Sequence, residues 1–269
     1  KAIRRQRQMC IRDSRSESDS FNMMKEMYVA MKNADNMYDG TLRSASNKAA
    51  GDGWLLHSYN ESGKNICGSF MGKVMEKAIK MGESNACMRR IVAAPTAGSC
   101  GVLPAVLLSY EEDFDVAEDD MVKAMYVAAG IGKVIAENAF IAGAAGGCQA
   151  EIGSASAMAA GALAFLQGGD SSAIINAATL SLKNFLGLVC DPVAGLVEVP
   201  CIKRNSYGAV NAVTSAQLSL AGIKSAIAPD DVVDSMRRIG NQLPASLKET
   251  SCGGLAITES AQNYLNQSF

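Results

Sequence analysis

Three cysteines are the residues of this sequence best suited to chemistry. Cys190 and Cys201 bracket the segment Cys190-Asp-Pro-Val-Ala-Gly-Leu-Val-Glu-Val-Pro-Cys201, with ten residues between them. Pro192 and Pro200 keep that segment out of regular helix. Cys148 stands upstream in Gly146-Gly147-Cys148-Gln149-Ala150-Glu151, at what reads as a helix start. A thiolate there is stabilised by the unpaired N–H groups and the helix dipole. Preceding glycines let backbone N–H groups approach the sulfurs of a metal cluster, and ligands from non-helical segments can converge on one. The spacing is not the C-x2-C of ferredoxins or zinc knuckles. Taken alone it fits buried free thiols, a metal site or a disulfide.

Other polar groups are candidates by type. The run Ile91-Val-Ala-Ala-Pro95-Thr96-Ala-Gly98-Ser99-Cys100-Gly101 enters a Gly-rich turn that offers hydroxyls and close backbone approach, as a carboxylate or anion site needs. It lacks the Gly-Lys-Ser/Thr of a phosphate loop, and a plain helix-capping turn is the competing reading. Ser84 and Asn85 precede it. Lys203 and Arg204 follow Cys201 closely and could clamp a carboxylate or form a structural pair. His57 is the only histidine, and in Trp54-Leu-Leu-His57-Ser-Tyr59 it reads as structural. Lys133 and Glu137, four apart, read as a surface pair.

The elements that must hold these groups read as helices almost throughout. Met24, Met27 and Met31 mark a first helix, with residues up to 65 following as loop. Residues 69–82 place Phe70, Val74, Ala78 and Met81 on one face. Pro104 can start a helix to about Tyr110. Asp115-Val-Ala-Glu118 resembles a capping box before a helix over 116–139. Another runs from just after Cys148 to Leu166, and Asp170 caps one reaching Phe185. Residues 209–227 and 229–238 follow, and Leu247 to Gly254 read as the end of the packed body. Only 91–94 offers a short strand. The fold class is therefore all-α, a compact multi-helix catalytic domain over 21–269. Residues 1–20, without hydrophobic period, read as a disordered or foreign segment.

The chain has 269 residues, 48% hydrophobic and 19% charged, enough for a sizeable core. A net charge of −2 does not point to nucleic acid. The most apolar stretch, 152–166, is too short to span a membrane. The eight cysteines permit disulfides, but the arginine-rich start carries no apolar core of a secretory signal, so a reduced cytoplasmic setting is expected.

Three motifs are similar to a known family: Ala94-Pro-Thr-Ala-Gly-Ser-Cys-Gly-Val-Leu-Pro104, Gly146-Gly-Cys-Gln-Ala-Glu-Ile-Gly-Ser-Ala-Ser-Ala-Met-Ala-Ala160 and Cys190 through Pro200-Cys-Ile-Lys-Arg-Asn205. They resemble the alpha chain of iron–sulfur-dependent L-serine dehydratase, with likeness from about residue 40 to 255. The resemblance implies a helical catalytic domain, an oxygen-labile [4Fe–4S] cluster on Cys148, Cys190 and Cys201, and a beta chain as partner. It implies a lyase that removes water from L-serine at an open iron acting as Lewis acid, giving pyruvate and ammonia. Substrate contacts would fall on Ser84, Asn85, Thr96, Ser99, Lys203 and Arg204. The general base is left unassigned: His57 is a poor candidate, and a beta chain is one source for it. Other readings are the same fold acting on cysteine or threonine, and a non-catalytic redox or sensor protein. A pyridoxal phosphate enzyme lacks a convincing lysine and glycine-loop pair, so no pyridoxal phosphate is expected. Cys252 reads as incidental, and Cys67, Cys87 and Cys100 as buried thiols.

Overall fold

A computed structural model describes residues 16–266 of the chain. The expectation of disorder over residues 1–15 lies outside the described residues. Eleven helices follow in order among them: α1 (Glu17–Asn36), α2 (Asp52–Glu61), α3 (Gly68–Ala86), α4 (Val102–Phe114), α5 (Glu118–Asn138), the single turn α6 (Gly143–Gly146), α7 (Cys148–Leu166), α8 (Ser171–Lys183), α9 (Cys201–Leu220), α10 (Pro229–Gln242) and α11 (Glu259–Asn266). The all-α class holds. Residues 91–94 form no strand; extended pairing among the described residues is limited to one parallel bridge between Cys190 and Lys248.

Helix α7 is the axis of the body. All its residues from Cys148 to Ala164 are buried. A helix apolar on every side belongs inside a protein, and this one is made of Ala, Gly and Ser between larger residues. α4, α5, α8 and α9 surround it. The small residues let neighbours come close: a Cβ on Gly208 of α9 would stand 3.0 Å from Ile152, and one on Gly153 would stand 3.1 Å from Phe185. Two of the buried hydroxyls, Ser156 and Ser181, are satisfied together, whereas Ser154 on the same helix as Ser156 has no hydrogen-bond partner. Ser156 donates to the Gly208 carbonyl at 2.7 Å, and Ser181 Oγ lies 2.8 Å from Ser156 Oγ.

Several boundaries depart from the sequence reading, each for a physical reason. α1 starts at Glu17, inside the segment read as unstructured. Ser16 caps it, accepting from Asp19 N at 3.0 Å while Asp19 Oδ2 accepts from Ser16 N at 3.1 Å. α2 occupies residues read as loop. Gly51, at φ 90°, precedes it, and its free N–H groups are met from another helix: Asp52 N and Gly53 N donate to the buried Glu83 carboxylate at 2.7 and 3.2 Å. The capping box at Asp115 does not form. Asp115 closes α4 in the left-handed region (φ 48°), and α5 instead opens on Glu118, Asp119 and Asp120, acidic groups that favour a helix start. The packed body continues past Gly254 through a short turn into α11, with Ala256 of the turn and Ala261 of the helix buried. As expected, the Asp170 side chain caps α8, accepting from Ala173 N at 2.8 Å. Lys133 and Glu137 form an exposed pair at 3.8 Å.

Candidate metal centre

Cys148 and Cys190 come together where a helix begins beside a loop, and Cys201, at the start of another helix, is near enough to act on them electrostatically. Cys148 is the first residue of α7. Gly147 precedes it at φ 79°, a left-handed position that favours glycine. A Cβ there would also stand 2.8 Å from the Leu188 carbonyl. That same carbonyl accepts from Gln149 N at 2.9 Å, so the start of α7 is stitched to the chain leading into Cys190. Cys190 is held on its other side by residues 247–249: its N–H donates to Leu247 O at 2.9 Å, and its carbonyl accepts from Glu249 N at 2.8 Å. Cys201 is the first residue of α9, directly after Pro200. The loop between closes on itself where Val193 N donates to Val199 O at 2.9 Å.

α9 was expected only from residue 209. Its first two turns carry Lys203, Arg204, Asn205 and Ser206, which look like loop in sequence. Arg204 and Asn205 are polar because they work inward. Arg204 donates from Nη1 to Val189 O at 3.0 Å and toward Cys148 Sγ at 3.4 Å, and from Nη2 to Asp191 Oδ1 at 2.9 Å. Asn205 accepts from Gly101 N at 2.8 Å and donates to Gly98 O at 2.9 Å and Cys201 O at 3.0 Å. It thereby fastens the Thr96–Gly101 turn to the base of α9.

Cys148, Cys190 and Cys201 are 1%, 2% and 4% exposed, and all three are free thiols. Cys148, Cys190 and the carboxylate of Glu151 place their ligating atoms within 4.8 Å of one another, a group able to hold a metal ion. Cys201 lies outside that group. The Cys148 thiol is held below the usual cysteine range, because Cys190 hydrogen-bonds to it and the Arg204 guanidinium faces it, against the opposing effect of burial. Cys190 is pushed up as the partner that keeps its proton. Burial, with the charges on Cys148 and Glu151, pushes Cys201 up to about 12. Burial also raises Glu151, although the Thr96 hydroxyl donates to it.

The expected substrate-contact residues fall into two groups. Thr96, Ser99 and Arg204 gather at the thiols: Thr96 Oγ1 and Ser99 Oγ are 3.0 Å apart, and Thr96 bonds Glu151 Oε1. Ser84, Asn85 and Lys203 do not share that network. Ser84 and Asn85 end α3, where their carbonyls accept from Arg89 N and Met88 N at 2.8 and 3.0 Å. Lys203 is exposed and paired with Asp52. So the Lys203–Arg204 clamp is split, since adjacent helical residues point in different directions. His57 pairs with Glu76 of α3 at 2.9 Å. Cys100 is buried as expected, but Cys67 is exposed and Cys87 only half-buried; Cys252 is exposed. Sequence reasoning gave no role to Glu151, Asp191 or Asn205. Their signal was position: Glu151 stands three residues beyond Cys148, and Asn205 four beyond Cys201, spacings that share a helix face.

Fold and site together define an all-helical domain whose central helix and one neighbour start at a buried, thiol-lined centre with the ligand chemistry of a metal site. The chain belongs to the serine dehydratase alpha chain family, whose model matches residues 3–256. It is 44% identical over 244 residues to the Bacillus subtilis (strain 168) protein named "Probable L-serine dehydratase, alpha chain", covering 91% of this chain and 81% of that one. It is 47% identical over 206 residues to the L-serine dehydratase alpha chain of Peptoniphilus asaccharolyticus, covering 77% of this chain and 70% of that one. Against L-serine dehydratase 1 of Escherichia coli (strain K12) it is 42% identical over 182 residues, which are 67% of this chain and 40% of that protein. No helix among the described residues is long and apolar enough to cross a membrane.

Proposed function

We propose that this chain is the cluster-bearing alpha subunit of an L-serine dehydratase, a lyase that takes water from L-serine and yields pyruvate and ammonia. The observation that carries the reading is the set of three buried free thiols at one centre, with Arg204 beside Cys148. The donor chemistry fits an iron–sulfur cluster. The sulfurs are sequestered, one is poised to ionise, and the wall is cut back to glycine, since a Cβ on Gly143 would stand 2.8 Å from Cys190 Sγ. Cys148, Cys190 and Cys201 would hold a [4Fe–4S] cluster. When bound, a cluster with three cysteine ligands supplies a Lewis-acidic iron for the hydroxyl and carboxylate of serine.

The chain's own residues prepare the surroundings. Arg204 keeps positive charge against the sulfurs, where an anionic substrate would arrive, and Asp191 fixes its fork. Thr96 and Ser99 set two hydroxyls at the edge of the site, on a turn that Asn205 holds in place. Burial of the centre excludes bulk water from the sulfurs. Arg204, the cation at the thiols, stays protonated and cannot take the proton on the serine α-carbon, and we assign that base to a beta-chain partner. The setting is cytoplasmic, where thiols stay reduced.

Anaerobic purification with iron and sulfide analysis, together with pyruvate formation from L-serine, tests this directly. About four irons per chain are expected, with turnover lost in air and dependent on a beta chain. Iron-free protein that still turned over serine would remove the cluster. 2-Oxobutanoate from threonine in preference to pyruvate from serine would change the substrate.

A further inference from the structure

We infer that Glu151 is itself a ligand of this metal centre, its carboxylate oxygen bonding the metal beside the cysteine sulfurs. The inference deepens the functional reading above and rests on the thiols being metal ligands.

The closest set of ligating atoms at the centre is not the three cysteines. It is Cys148, Cys190 and Glu151, mutually within 4.8 Å, with Cys201 outside. Glu151 stands one turn along α7 from Cys148, so the helix directs both side chains to the same point. The carboxylate is buried and only 8% exposed, yet it has no salt bridge. The nearby cation, Arg204, spends its donors on Asp191, the Val189 carbonyl and Cys148. A buried carboxylate facing two thiols without a cation of its own is unfavourable, and a metal ion at that point supplies the missing charge.

The surroundings fit the same role. Thr96 donates its hydroxyl to Oε1, the kind of outer hydrogen bond that orients a ligating carboxylate. Oε2 is left turned to the sulfurs, 4.0 Å from Cys148 Sγ. Glycine leaves room for this placement: a Cβ on Gly98 would stand 2.5 Å from Oε1 and push the carboxylate aside, and one on Gly143 would stand 2.8 Å from Cys190 Sγ. Among thiolates a carboxylate oxygen is the harder donor, so Glu151 supplies the exchangeable position.

The test uses the full chain, prepared anaerobically without metal and titrated with Co(II) alone. The d–d bands of cobalt report its donor set, and its thiolate charge-transfer band reports the cysteines. Wild type is expected to show both. Glu151→Gln is expected to weaken cobalt binding about ten- to hundredfold and to move the d–d bands while keeping the charge-transfer band. Glu151→Asp, which keeps the charge but shortens the reach, falls between. Wild-type affinity and bands in Glu151→Gln overturn the inference. So does weaker binding with unmoved d–d bands, since Glu151 would then only orient the thiols. A wild type that takes up no cobalt at its thiols is a different result, and it sinks the metal-centre reading as well. Circular dichroism checks folding; if Glu151→Gln does not fold, Glu151→Asp carries the test on the same criteria.

Discussion

Arg204 Nη1 lies 3.4 Å from Cys148 Sγ, although the two residues belong to the first turns of different helices. The same guanidinium is fixed on Asp191, whose side chain is almost fully buried and whose other oxygen accepts from Leu255 N at 2.8 Å. One planar fork therefore joins the start of α7, the start of α9, the Cys190 loop and the segment near residue 255.

Removing it leaves Asp191 buried without its counter-charge. Arg204→Ala is expected to destabilise the protein by about 3–5 kcal/mol, as broken buried pairs do. Arg204→Lys should recover only part of that, because one ammonium cannot serve three partners in a fixed plane. Urea unfolding of the metal-free protein measures both. A loss well below 1 kcal/mol (roughly the value of a surface pair) would show that the fork is not a fastening.

Asn205 is 1% exposed and uses both ends of its amide. Asn205→Ala orphans Gly101 N and withdraws a donor from two carbonyls, at a cost of about 2–4 kcal/mol. Asn205→Asp should cost more, since a second acceptor would then face Gly98 O and Cys201 O. Thermal denaturation of the two variants side by side gives the order, and the reverse order would contradict the assigned bonds.

Two glycines in the Thr96 turn should fail in different ways. A Cβ on Gly98 meets the end of the Glu151 side chain, which can swing aside. Gly98→Ala should fold within about 1–3 kcal/mol of wild type but lose iron. A Cβ on Gly101 meets the backbone carbonyl of Ala78, which cannot. Gly101→Ala should lose more stability than Gly98→Ala. Iron analysis and melting temperature separate the two effects.

Thiol reactivity should follow burial. Cys67 and Cys252 are exposed and are expected to alkylate first at about pH 8. Burial pushes Cys100 up to about 12, so it stays protonated and unreactive until the pH approaches that value or the protein unfolds. Brief alkylation followed by peptide mass spectrometry, with and without denaturant, reads this. Native labelling of Cys100 ahead of Cys67 would contradict its burial.

The sequence by itself determined the helical character and most helix positions from α3 to α10, and it singled out three cysteines that the fold buries. Those features are local or carried by long motifs: apolar periodicity, Asp170 as a cap, small residues around Cys148. What the sequence could not show depended on partners distant along the chain. α2 is capped by Glu83, thirty residues away, so its glycine-flanked start looked like loop. The first turns of α9 looked too polar for a core, because the partners of Arg204 and Asn205 come from other segments. Lys203 and Arg204 are neighbours in sequence, but one reaches Asp52 at the surface and the other the sulfurs. Glu151 became a ligand candidate only when folding set it, with no salt bridge of its own, beside two thiols. Tertiary structure decides such matters because burial and hydrogen-bond satisfaction are properties of assembled segments, and no single stretch of chain contains both halves of the interaction.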